Sequence, residues 1–145
     1  MDYSSKILQN FLNLYWVRPE TAFWRTLDVL QMKGIKFKKP IIDIGCGDGS
    51  FSFTNFGGRV GSSFDVYRSI KSTSGFFKGV DIHNQNLHIK PKIIQKPKMK
   101  IDVGLDWKIN LLKKANELKL YEKLIRHDSN NSLPFEDEEF ETIFS

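Results

Sequence analysis

The stretch PIIDIGCGDGSF, Pro40–Phe51, decides how the rest of the chain is read. A proline precedes the apolar run IIDI, and glycines at alternate positions, Gly45, Gly47 and Gly49, follow it. A short apolar run bounded in this way predicts a buried strand. Glycine tolerates positive φ and carries no Cβ, so the loop leaving that strand can hold a ligand against bare backbone. A helix starting near Ser50 would turn its first N–H groups toward the same ligand. Two common readings of such a loop fail on residue identity. A dinucleotide fingerprint, G-x-G-x-x-G, needs glycine where Ser50 stands, and a P-loop needs a Gly-Lys-Ser/Thr that is absent. Asp43 lies inside the strand, two residues before the first glycine. Its carboxylate would repel a pyrophosphate, but it suits a cationic ligand or can order the glycine loop through backbone amides.

On the C-terminal side the pattern repeats. IDVGLD predicts a second strand and runs into WKINLLKKANELKLY, where Ile109 and Leu112, or Leu111, Ala115 and Leu118, fall on one helical stripe. EKLIRHD predicts a third strand, and FETIFS the beginning of a fourth after the turn-rich SNNSLPFEDEE. On the N-terminal side, Ile7, Leu8, Phe11, Leu12 and Tyr15 recur at helical spacing. Pro19 then fits the first turn of a second helix carrying Phe23, Leu27 and Leu30 and closed by Gly34. Strands alternating with helices predict an α/β fold with a doubly wound, mostly parallel sheet over 40–145, preceded by N-terminal helices over 1–39. Loops between strands and helices usually run about 2 to 6 residues, so 51–100 is expected to hold an insertion.

A chain of 145 residues with 40% hydrophobic and 27% charged residues can bury one domain's core. No apolar run approaches the roughly 20 residues that span a bilayer, and the N-terminus lacks an apolar h-region with a small-residue cleavage site. A cytoplasmic protein without membrane contact is expected. The single cysteine, Cys46, excludes an intramolecular disulfide and a cysteine zinc cluster. His83, His88 and His127 have no metal spacing, so no metal is expected. Trp16, Trp24 and the many phenylalanines are expected in core or helix packing. The net charge of +5 is uneven, with lysines concentrated in HIKPKIIQKPKMK and acids in LPFEDEEFE. The lysine segment contains no arginine or aromatic platform for bases, which favours a solvated loop and disfavours nucleic acid as a partner.

IIDIGCGDG resembles the glycine-rich first motif of the class I S-adenosylmethionine-dependent methyltransferases, and further resemblances follow in order. VGLDWKINLLKKA is similar to the family's second motif, and LIRHDSNNSLPFEDEEFETIFS to the region of its third and fourth strands. The resemblance implies a Rossmann-like sheet of seven strands ordered 3-2-1-4-5-7-6, of which the sequence accounts for strands one to four. It implies S-adenosylmethionine as cofactor and, as methyl acceptor, an unidentified small molecule. Asp43 and the loop, Gly45, Cys46, Gly47 and Gly49, would take the methionine end. Asp106 would hold both ribose hydroxyls, Trp107 would pack against the adenine, and Asp128 with Ser129 would lie in the region that meets the adenine. No catalytic residue is implied, because the acceptor pocket and any base normally belong to the other half of the sheet. The chain is therefore expected to be the cofactor-binding, N-terminal part of such an enzyme, truncated or completed by a second chain, and inactive by itself if so.

Each residue has a plainer alternative. Asp106 can cap the following helix; Asp81, in KGVDIH, is a rival ribose acid; Asp128 can be an ordinary turn residue; Cys46 can simply be small. The alternative for the whole chain is a non-catalytic α/β binding module whose basic insertion contacts an anionic partner, with binding that weakens steeply in salt.

Overall fold

The computed structural model describes residues 2–15, 18–61 and 90–145. Trp16, the rival acid Asp81, His83 and His88 lie outside the described residues. Helix α1 (Tyr3–Leu14) starts at Asp2, whose carboxylate accepts the Ser5 N–H at 2.7 Å and so satisfies one of the amides a helix start leaves unpaired. Its buried face is Ile7, Asn10, Phe11 and Leu14. Pro19 opens α2 (Pro19–Gln31), where a missing N–H costs nothing. Gly34, at φ +96°, turns the chain after it.

The buried face of α2 differs from the expected one. Ala22, Thr26 and Val29 point inward, while Phe23 is 51% and Trp24 63% exposed. The small Ala22 lets α2 approach α1, and Thr26 can be buried because its hydroxyl donates to the Ala22 carbonyl at 2.7 Å. Phe23 and Trp24 are rotated out of that contact and pack edge to face on each other, with ring centroids 5.8 Å apart.

Strand β1 (Ile41–Ile44) leads through the glycine loop into the short α3 (Ser50–Asn55). Strands β2 (Arg59–Val60) and β3 (Ile93–Gln95) pair antiparallel as a separate two-stranded sheet, so the described ends of the expected insertion lie side by side. Strand β4 (Ile101–Asp106), α4 (Ile109–Glu117), β5 (Tyr121–Arg126) and β6 (Thr142–Phe144) complete the order of elements. The main sheet runs β5-β4-β1-β6 with every pair parallel, the expected α/β arrangement of a parallel sheet flanked by helices and consistent with a Rossmann-like fold. On α4, Leu112, Ala115 and the following Leu118 are buried, and Ile109 is 45% exposed, so the inward stripe draws on both expected sets.

One face of the sheet and the helices share a single core that joins Phe11 and Leu14 of α1, Val29 of α2, Phe53 of α3, Ile41, Ile101 and Tyr121 of the strands, and Leu118. A polar clasp lies within it: buried Asn10 donates to Thr54 Oγ1 at 2.8 Å and accepts the Val60 N–H at 2.9 Å, fixing α1 to α3 and β2. On the other face, Ile42, Val103 and Leu105 form a second cluster, covered by Phe135 and Phe140 from the segment between β5 and β6. Among the described residues, no helix is long and apolar enough to cross a membrane.

Candidate functional site

The glycine loop leaves β1 beside the end of β4, where the N–H groups of Gly45 and Cys46 both donate to the Leu105 carbonyl, at 2.7 and 3.0 Å. The chain builds outward from β1 to β4 and β5 and then returns to β6 on the other side. The loop therefore sits where strand order reverses, the usual ligand crevice of such sheets. Its three glycines all have positive φ, +72°, +57° and +74°, but they do different work. A Cβ at Gly49 would sit 3.0 Å from Tyr121 Cε2 and 3.4 Å from Ala115 Cβ, so that glycine permits close packing. A Cβ at Gly45 or Gly47 would meet nothing within 4 Å, which leaves these two as an open cradle.

Asp106 clamps this cradle from the end of β4. Its Oδ2 accepts the Gly47 N–H at 2.9 Å, and its Oδ1 accepts the Lys108 N–H at 2.8 Å just before α4. The second bond is local, two residues ahead, and Asp106 does not cap α4 as the plainer alternative had it, since the N-cap is Lys108 without a side-chain cap bond; the first, across to the glycine loop, was not legible in the sequence. Each carboxylate oxygen has two lone pairs and spends one on these amides, which leaves acceptor capacity on both.

Asp43 lies behind the loop and is buried. Its Oδ2 accepts the Ser52 hydroxyl at 2.5 Å and the Tyr121 phenol at 2.6 Å. These two hydroxyl donors, one turn into α3 and at the start of β5, hold the carboxylate that the sequence reading directed toward a ligand or toward loop amides. Burial raises its pKa above the usual carboxylate value, with the Asp106 charge as a smaller push in the same direction and the two hydroxyls acting against it. A carboxyl with a raised folded-state pKa holds more protons folded than unfolded, so its ionisation lowers stability as pH rises from the ordinary value through the raised one. Asp43→Asn keeps an acceptor oxygen for the hydroxyls and cannot ionise. Its stability relative to the wild type, from urea unfolding, is expected to increase between about pH 4 and neutrality; a difference constant over that range would mean that folding does not raise the Asp43 pKa.

Asp48 takes an amide that the sequence reading left for a ligand: its Oδ1 accepts the Ser50 N–H at 3.0 Å, the local bond Asp makes to a residue two ahead. Cys46 is half-buried, and its thiol is pushed well above its ordinary pKa, first by burial and then by the charges of Asp43, Asp106 and Asp48. A raised pKa disfavours the thiolate, the nucleophilic form of cysteine. Three carboxylates thus converge on one glycine loop. From the other side, Tyr15 at the end of α1 feels the Asp48 charge, with Arg18 over its ring at 5.1 Å, and Arg25 lies 5.0 Å over the ring of Phe51. The N-terminal helices border the site.

The remaining expected residues are less closely gathered. Trp107 is 56% exposed beside Asp106, with Lys108 Nζ 5.4 Å over its ring. Asp128 and Ser129 are exposed, and Asp128 Oδ1 accepts the Asn130 N–H and side-chain amide at 3.0 and 2.8 Å. That is the ordinary-turn arrangement. The turn is joined to the cradle through backbone, the His127 N–H donating to the Asp106 carbonyl at 3.0 Å.

No protein-family model, curated protein or solved structure matches the chain. The site's chemistry therefore rests on its own residues. Gly45, Cys46 and Gly47 are tied to the end of β4 through the Leu105 carbonyl and Asp106, Asp43 bonds Ser52 and Tyr121 in the interior, and Trp107 is exposed next to Asp106. Among the described residues, no group of His, Cys, Asp and Glu is placed to hold a metal ion. Sequence reasoning missed Tyr121, Ser52 and Asp48. The Asp-Gly-Ser order after the loop was a local signal for Asp48; nothing near Tyr121 in the sequence announces its bond to Asp43.

Proposed function

We propose that the glycine cradle and Asp106 are the S-adenosylmethionine-binding portion of a methyltransferase acting on a small molecule. The observation that carries this reading is an open glycine backbone set among three carboxylates, Asp43, Asp48 and Asp106. A pyrophosphate would meet repulsion there, whereas a sulfonium or ammonium group would be attracted. Asp106 can accept both hydroxyls of a ribose on its remaining lone pairs while keeping Gly47 and Lys108. Further support comes from the sheet order, β5-β4-β1-β6, which corresponds to strands 3-2-1-4 of the family that the motifs resemble. In this reading Gly45, Cys46, Gly47 and Gly49 border the methionine end, Trp107 offers a face to the adenine, and the Asp128–Ser129 turn lies beyond it.

Once bound, the cofactor supplies an electrophilic methyl group. The residues of this chain bind and orient: transfer from a sulfonium is an in-line displacement that asks the protein chiefly for positioning. The test is a calorimetric titration of the chain with S-adenosylhomocysteine. Saturable one-to-one binding is expected, and a folded, monomeric sample that produces no heat would overturn the assignment.

A further inference from the structure

A cavity of about 510 Å³ lies away from the glycine loop, between α1, α2 and the C-terminal end of α3. Phe37, on the approach to β1, packs edge to face on Phe56 with centroids 4.9 Å apart, which places the cavity by the chain entering β1, whereas the cradle follows the strand's other end. Its size is that of a small-molecule site. Ile7, Val29, Phe56 and Met99 give it apolar walls.

Its charge is of one sign. Lys6, Lys33, Arg59 and Lys98 line it, and among the described residues no Asp or Glu does. Its backbone carbonyls are largely occupied: Phe56 accepts the Lys98 N–H at 2.8 Å, Gly57 the Gln95 side-chain amide at 2.7 Å, and Gly58 the Asn10 side-chain amide at 3.3 Å. Two buried donors remain without a partner among the described residues, Arg59 Nε and Asn55 Nδ2. Both atoms are shielded from solvent, the cavity's included, so the groups within a ligand's reach are the other polar atoms of the lining. Lysine side chains are held nearby, with Lys33 Nζ 5.0 Å over the Tyr3 ring and the Lys98 stem 3.6 Å from a Cβ position on Gly57.

We propose that this cavity binds a small amphipathic anion, its oxyanion head, phosphate or carboxylate, meeting the lining cations Lys6, Lys33, Arg59 and Lys98 and its apolar body lying against Ile7, Val29 and Phe56. The site is independent of the cradle and of the function proposed for it. Cations alone would attract any anion, and apolar walls alone any hydrocarbon; the pairing of the two selects a ligand that carries both.

The test is calorimetric titration of the full chain with octyl phosphate and octanoate, with octanol and inorganic phosphate as controls. At least one of the two amphipathic anions is expected to bind one-to-one, and the tighter of them identifies the head group. Octanol and inorganic phosphate should each bind at least tenfold more weakly than that anion. The double variant Lys33→Gln, Lys98→Gln changes two surface side chains, leaves the fold intact by its melting temperature, and should weaken the anion at least tenfold. Arg59→Met, which removes a cation from the lining, should do the same. Saturating S-adenosylhomocysteine should leave the anion's affinity unchanged. Octanol binding as tightly as both anions, no saturable heat from either anion, or unchanged affinity in the double lysine variant would overturn the proposal, whatever the result at the cradle.

Discussion

Replacing Tyr121 by alanine is expected to destabilise the protein by about 3–5 kcal/mol, the range for removing a large buried aromatic. The ring occupies a slot that two glycines make. A Cβ at Gly104 would lie 2.6 Å from Tyr121 Cδ1, and one at Gly49 3.0 Å from its Cε2, so no side chain stands where the ring sits. Truncation therefore leaves a cavity that glycines cannot fill. It also removes the phenol that donates to buried Asp43 at 2.6 Å. Domains of this size have total stabilities of about 5–15 kcal/mol, so the alanine variant approaches the limit of folding. Tyr121→Phe separates the two contributions. It keeps the ring and withdraws one of the two hydroxyl donors, at a cost of about 1–3 kcal/mol. Because the lost hydrogen bond favours the ionised carboxyl, the phenylalanine variant raises the Asp43 pKa further, and its deficit should be larger at neutral pH than at about pH 4. Urea unfolding of both variants at two pH values measures this. An alanine variant within about 1 kcal/mol of wild type would mean that the ring is not seated between the glycines.

The difference between what was legible and what was not follows sequence separation. The strand before the glycine loop, the strand–helix unit from Ile101 and the proline-initiated α2 rest on patterns a few residues wide, and each formed where expected. The clamp from Asp106 to Gly47 spans 59 residues and the bond from Tyr121 to Asp43 spans 78, and both depend on which strands become neighbours. Local patterns do not encode that. The expected α2 face held in part, with Leu30 packed partly buried against the core, and missed at Phe23 for another reason. Phe23, Leu27 and Leu30 have the same four-then-three spacing as Ala22, Thr26 and Val29, one residue out of phase. Hydrophobicity selects the first set; the second is buried because a small residue allows two helices to come together. Asp128 was directed to the site only by resemblance, and its own bonds are those of the ordinary turn that was its alternative.

Asp106→Ala is expected to weaken S-adenosylhomocysteine binding at least tenfold, about 1.4 kcal/mol or more. The loss has two sources, the ligand's acceptor and the anchor of the Gly47 amide, and one substitution cannot divide them. Gly47→Val divides them by leaving the carboxylate in place. Valine at φ +57° strains the backbone by about 1–2 kcal/mol and sends a branched side chain into the space that a ligand on the cradle would occupy. Gly34→Val is its control, since Gly34 has φ +96° and likewise meets nothing within 4 Å, but follows α2 rather than β1. Both variants should lose comparable stability in urea. Only Gly47→Val should lose the ligand, because only there does the new side chain compete for the surface on which the ligand lies. If the two lower affinity equally, the loss belongs to general destabilisation and the cradle is not the binding surface. If Gly47→Val abolishes binding while Asp106→Ala leaves it within twofold, the ligand lies on the glycine backbone without using the carboxylate, and Asp106 serves only to clamp the loop.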